Sequence, residues 1–174
     1  MSNEQIASQV RNTCKEFCAA LTQDEITQFV RYVSVIELEE QETLADLEDI
    51  GESFYLVIGG AIKLYQVDGE KEFEVGQINP GGLVGEMSFF DKQPRTVRLK
   101  SGSSDTQLLE INRQMYNRLK IEEPYISANL LEFVILSLDL LVRKLSEQNA
   151  LLHTEMARLT GPGITMHQPA QSSN

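Results

Sequence analysis

The chain has 174 residues, 41% of them hydrophobic, and 26 acidic side chains against 15 basic ones leave a net charge of −11 at neutral pH. That length supports one well-buried core plus an extension, and a pI near 4.6 argues against nonspecific attraction to nucleic acid, whose phosphates are met by Lys and Arg. No apolar run reaches the roughly 18 residues that span a bilayer, and Met1-Ser2-Asn3-Glu4-Gln5 lacks the regions of a signal peptide, so a cytoplasmic protein without a membrane partner is expected.

Residues 4–20 read as a helix. Cys14 and Cys18 stand one helical turn apart in it, but two ligands do not make a zinc site and neither His153 nor His167 is near in sequence; the expectation is reduced, partly buried thiols and no metal. Thr22-Gln23-Asp24-Glu25 is a capping box that opens a second helix, with Leu21 and Ile26 placed as its hydrophobic staple and Phe29, Val30 and Val33 continuing the core stripe. Residues 1–34 are therefore taken as N-terminal helices.

From Val35 to Ile111 the pattern changes to strands. Phe54-Tyr55-Leu56-Val57-Ile58 reads as a buried strand ending at Gly59-Gly60, and Ile62 and Leu64 alternate with Lys63 up to Asp68-Gly69. That dipeptide signals a hairpin, with Phe73, Val75 and Ile78 on the returning strand. Short strands at turn-marked intervals predict a β-barrel or jelly roll over residues 35–111, so the fold class is α+β. Helical period returns over 112–160, with a break at Glu123-Pro124 and a long helix from Pro124 to Arg158 that Gly161-Pro162-Gly163 ends. Residues 161–174, rich in Pro, Gln and Ser, are expected to be disordered.

The long helix carries a heptad. Leu131, Leu138, Leu145, Leu152 and Leu159 recur every seven residues, and Ile135, Val142, Asn149 and Met156 fill the other core position. Leu at d, mainly β-branched residues at a and a single polar Asn predict a parallel two-stranded coiled coil, hence a homodimer. Near residues 130–142 the extra leucines Leu130, Leu136, Leu140 and Leu141 predict contact with the helix's own barrel as well.

The stretch Gly85-Glu86-Met87-Ser88-Phe89-Phe90-Asp91-Lys92-Gln93-Pro94-Arg95-Thr96 carries the chemistry. Gly85 before a short apolar turn allows close backbone approach, and free N–H groups such as those of Met87 and Ser88 attract a phosphate. Glu86 would repel a phosphate but accepts well from a sugar hydroxyl. Arg95 supplies a planar fork for two phosphate oxygens and can also pair with Glu86, keeping it ionised. Thr96 adds a hydroxyl and an N–H, and Lys92, Arg95, Arg98 and Lys100 concentrate positive charge in an acidic chain.

This run resembles the phosphate-binding cassette of the cyclic-nucleotide-binding domain family, shared by catabolite activator proteins, protein kinase A regulatory subunits and cyclic-nucleotide-gated channels. The likeness covers roughly residues 20–158. It implies that Glu86 holds the ribose 2′-hydroxyl and Arg95 the cyclic phosphate, and that a homodimer forms through the C-terminal helix.

The function expected is that of a regulatory protein binding cyclic AMP, with cyclic GMP possible, and acting through an unknown effector protein. The base is expected to rest against Val75 and the helix near Leu138 to Val142. Only fifteen residues follow Leu159, too few for a helix-turn-helix unit of roughly 40 to 60 residues, so no DNA partner is expected. With two late histidines and no nucleophile–base pattern, no catalytic residues and no enzyme activity are expected. The alternative is a ligand-free dimerisation or scaffold module that keeps the fold.

Overall fold

The computed structural model describes residues 1–160, with side chains to Arg158. The Leu159 side chain, Gly161-Pro162-Gly163 and the tail expected to be disordered fall outside what is described. Residues 1–137 form one compact unit and a second begins at Leu138.

The N-terminal segment is two helices rather than one, α1 (Asn3–Thr13) and α2 (Lys15–Cys18), parted at Cys14, whose φ of −101° and ψ of 57° leave the helical region. A Ser2–Gln5 capping box opens α1, and the expected Thr22–Glu25 box opens α3 (Gln23–Phe29). Phe17, Phe29 and Phe133 stack with ring centroids 4.8 and 5.9 Å apart, joining these helices to the start of the long helix. Both cysteines are buried and free. Burial pushes the Cys14 thiol up to about 12 and the Cys18 thiol up to about 11, so neither is a thiolate at neutral pH.

Eight strands follow: β1 (Ser34–Leu38), β2 (Thr43–Ala45), β3 (Ser53–Gly59), β4 (Ile62–Asp68), β5 (Lys71–Ile78), β6 (Leu83–Val84), β7 (Arg98–Ser101) and β8 (Thr106–Asn112). They form two antiparallel sheets of four, ordered β1-β8-β3-β6 and β2-β7-β4-β5, the jelly-roll architecture expected. Leu38, Tyr55, Val57, Val84 and Leu108 from the first sheet meet Ile62 and Leu99 from the second in one core. The hairpin at Asp68-Gly69 is present, with Asp68 opposite Lys71.

A short helix, α4 (Glu86–Asp91), interrupts the strands between β6 and β7, and α5 (Arg113–Glu122) and α6 (Pro124–Thr160) close the described chain. Within the first unit α6 buries Ile126, Leu130, Phe133 and Val134 but leaves Leu136 exposed, so the extra leucines do not all face the core. Of the heptad positions, Ile135, Val142, Leu145, Leu152 and Met156 are exposed. One expectation is corrected: by length and composition, Pro124–Arg158 is apolar enough to cross a membrane. Glu132 and Asp139 interrupt its apolar sequence, and four core side chains already commit the first part of the helix to protein.

Candidate functional site

The site is built around α4. Gly85, its N-cap, has φ 86°, a left-handed conformation that glycine alone adopts without strain. A Cβ there would also come within 3.1 Å of Arg95 Nη1. The first helical bond is Phe89 N–H to Gly85 C=O at 3.2 Å, so the amides of Glu86, Met87 and Ser88 precede any intrahelical partner. The Glu86 carboxylate takes a hydrogen bond from its own amide, which leaves the N–H groups of Met87 and Ser88.

Aromatic packing fixes where α4 sits. Phe89 is fully buried, 4.8 Å from the Phe54 ring of β3 and 5.5 Å from the Tyr116 ring of α5. Arg113, the first residue of α5, lies 4.1 Å over the Phe89 ring and donates to the carbonyls of Phe89 at 2.8 Å and Gly51 at 3.2 Å. The hydroxyl of Ser88 is buried and spoken for: it accepts from Gly51 N–H at 2.7 Å and donates to Gln93 C=O at 2.6 Å. Of Ser88, the hydroxyl is a brace and the amide is the free donor.

Arg95 is placed by its backbone. Its N–H donates to Asp49 C=O at 3.0 Å, its C=O accepts from Glu48 N–H at 3.1 Å, and Ile50 bridges Pro94. The side chain turns inward and is 8% exposed, beside Gly51, Gly85 and the Ser53 carbonyl, to which Nη2 donates at 3.5 Å. Its Nε has no hydrogen-bond partner, the one such buried side-chain nitrogen or oxygen among the described residues. Glu86, also 8% exposed, is near enough to feel Arg95 but forms no ion pair with it among the described residues. Burial raises the Glu86 pKa, and the Glu86 amide and Arg95 pull only partly against it. Without an ion pair between the two, desolvation is a larger effect on this carboxyl than the Arg95 charge.

Gly85, Glu86, Ser88 and Arg95 are therefore brought together, with the Met87 amide in the same turn and the Met87 side chain exposed. Thr96 follows Arg95 in an exposed bend before β7. Val75 lies in β5, 54% exposed, as the additional residue of a β-bulge. The expected concentration of positive charge does not form. Arg98 bonds both oxygens of Asp46, at 2.8 and 2.9 Å, and contacts Glu72, while Lys100 reaches Glu72 at 2.6 Å. These cations are neutralised by partners that only the sheet register brings near. Gly51 and Arg113 went unread: a lone Gly before β3 and an Arg at a helix start carry no pattern of their own. Among the described residues no cluster suited to a metal is present.

The site is thus an eight-stranded jelly roll holding a short glycine-capped helix beside an inward guanidinium. The family model described as the cyclic nucleotide-binding domain matches residues 35–122, just over half of the 174 residues, and the chain belongs to that family. No curated protein matches it by sequence. Among solved structures, a cyclic nucleotide-binding domain from Methylobacillus flagellatus is similar with TM-score 0.73 and 14% identity, covering 83% of each chain. The catabolite activator protein of Thermus thermophilus gives TM-score 0.62 and 26% identity over 81% of this chain and 63% of that one. The regulatory domain of Toxoplasma gondii protein kinase A, solved with cAMP, gives 0.59 and 16% over 83% and 50%.

Proposed function

We propose that the protein is a cyclic-nucleotide receptor, for cyclic AMP first and cyclic GMP second, that regulates an effector protein rather than catalysing a reaction. Arg95 carries the reading: its guanidinium is buried without a carboxylate partner, and its Nε is unsatisfied. A desolvated cation in that state is costly until an anion meets it. A cyclic phosphate offers one negative charge and the oxygens a guanidinium fork prefers. The amides of Met87, Ser88 and Thr96 add donors, Gly85 gives room, Glu86 accepts from the ribose, and Val75 lies toward the base. Cyclic AMP is placed first on the likeness to catabolite activators and kinase regulatory subunits.

The exposed heptad of α6 supports a parallel homodimer, and two buried reduced thiols suit the cytoplasm. This reading requires no metal, DNA or membrane partner. In calorimetric titrations with cyclic AMP and cyclic GMP, Arg95→Ala is expected to weaken binding by about 2 to 5 kcal/mol, the cost of stranding half of a buried charged contact. Unchanged affinity in that variant refutes the role given to Arg95. A scaffold without ligand is the second reading, favoured by the bond Arg95 already makes to Ser53 C=O. A thermal shift separates the two, since only a ligand of the folded state raises the melting temperature.

A further inference from the structure

We propose that Phe73 is the nucleobase platform of this site, stacking on the base of the bound nucleotide; the inference rests on the cyclic-nucleotide reading above. β5 is an edge strand paired with β4. Ile62 faces Ile78 and Leu64 faces Gly76 across that pair, and Ile62, Leu64 and Ile78 all pack in the core between the sheets. Strict alternation from there would send Glu74 inward and Phe73 outward. The bulge reverses it.

Because Tyr65 pairs with Glu74, Val75 is an added residue and the two faces of β5 exchange beyond it. Glu74 then reaches Lys63 at 3.0 Å, and Glu72 takes Arg98 together with Lys100. Those ion pairs lie on the face away from the core. Phe73, opposite Gln66, is turned to the face that carries the core. It projects past the packed region, is 52% exposed, and stacks on no other ring among the described residues. One added residue thus seats three cations outside and aims a phenyl ring inside, the re-aiming of a side chain for which bulges beside binding sites are used.

The ring also has the right separation from Arg95. β4 pairs with β7 so that Tyr65 faces Arg98. One step further, Gln66 is level with Val97, which packs on the core from the inner side. Phe73 is thus two strand spacings, about 10 Å, from the column of Val97, and Arg95 precedes Val97 by two residues. A phosphate at one end of this inner face and a base at the other matches how a nucleotide extends. A phenyl face accepts any base, so it adds affinity without choosing strongly between adenine and guanine.

The chain contains no tryptophan, so Phe73→Trp introduces a single indole at the spot. Wild type, Phe73→Ala, Phe73→Trp and Arg95→Ala are titrated with cyclic AMP, cyclic GMP and ribose 3′,5′-cyclic phosphate, which lacks a base. Phe73→Ala is expected to lose about tenfold in affinity for both nucleotides, the scale of one base–aromatic stack, and nothing for the baseless ring. Indole fluorescence of Phe73→Trp is expected to be quenched at saturation. Wild-type nucleotide affinity in Phe73→Ala, or no quenching at saturation, overturns the platform while the response of Arg95→Ala still supports the receptor. Changed self-association of Phe73→Ala with unchanged affinity overturns it too, assigning the ring to a second copy of the chain. Wild type binding none of the three ligands removes both conclusions.

Discussion

Glu86 is a carboxyl whose surroundings work against its charge. Burial raises its folded-state pKa above the ordinary 4.5, outweighing its own amide and Arg95. The native state therefore binds more protons than the unfolded chain between 4.5 and the raised value, and stability falls as pH rises through that window. Above it the penalty is constant. Glu86→Gln removes the titration, so the unliganded variant is expected to melt no lower than wild type at pH 7. The gap between the two should close as pH drops below 4.5 in a melting series. Ribose recognition is lost in exchange, and nucleotide affinity should fall in the same variant. Gly85→Ala tests the neighbouring backbone. At φ 86° a Cβ is strained, and it would stand 3.1 Å from Arg95 Nη1. Denaturant titration should show a loss of about 1 to 3 kcal/mol.

Among the elements, α4 is held by one hydroxyl at a junction. Ser88 ties Gly51 N–H and Gln93 C=O through a single Oγ, so Ser88→Ala strands a buried donor and acceptor and is expected to cost about 1 to 3 kcal/mol in denaturant unfolding. This brace could not be read from the chain, because Gly51 lies 37 positions away and only folding makes the pair. Signals confined to a few residues were legible. Thr22–Glu25 capped α3, Asp68-Gly69 made the hairpin, and Gly85-Glu86 opened α4 as expected. What failed was local irregularity and distant charge. The break at Cys14 has neither Gly nor Pro to announce it, the Val75 bulge shifts parity without a turn residue, and Arg98 and Lys100 counted toward a concentration of positive charge until the register gave them Asp46 and Glu72. In the cassette, residue types and spacing carried the reading, while the orientation of Arg95 depended on Gly51 and Ser53 arriving from β3 and its approach, and the seating of α4 on Phe54 of β3.

For the whole molecule, oligomeric state is the property most open to measurement. The exposed a and d side chains of α6 are expected to pair in parallel, and sedimentation should report a dimer. The double variant Leu145→Glu, Leu152→Glu places charges at two d positions and should sediment as a monomer; a dimer of unaltered mass in that variant would exclude the α6 seam. Asn149→Leu replaces the one polar a residue and is expected to raise the melting temperature while mixing oligomeric states, since a buried Asn trades stability for register.

The sealed thiols offer a clock. Cys14 and Cys18 are buried residues of the N-terminal helical segment with their thiol pKa values pushed up to about 12 and 11, so an aromatic disulfide reagent added to the native protein can modify them only after that segment lifts away. The rate of colour development then measures how often this cap opens. Comparing that rate with and without nucleotide would show whether an event at Arg95 is felt in the N-terminal helices, with no label attached in advance.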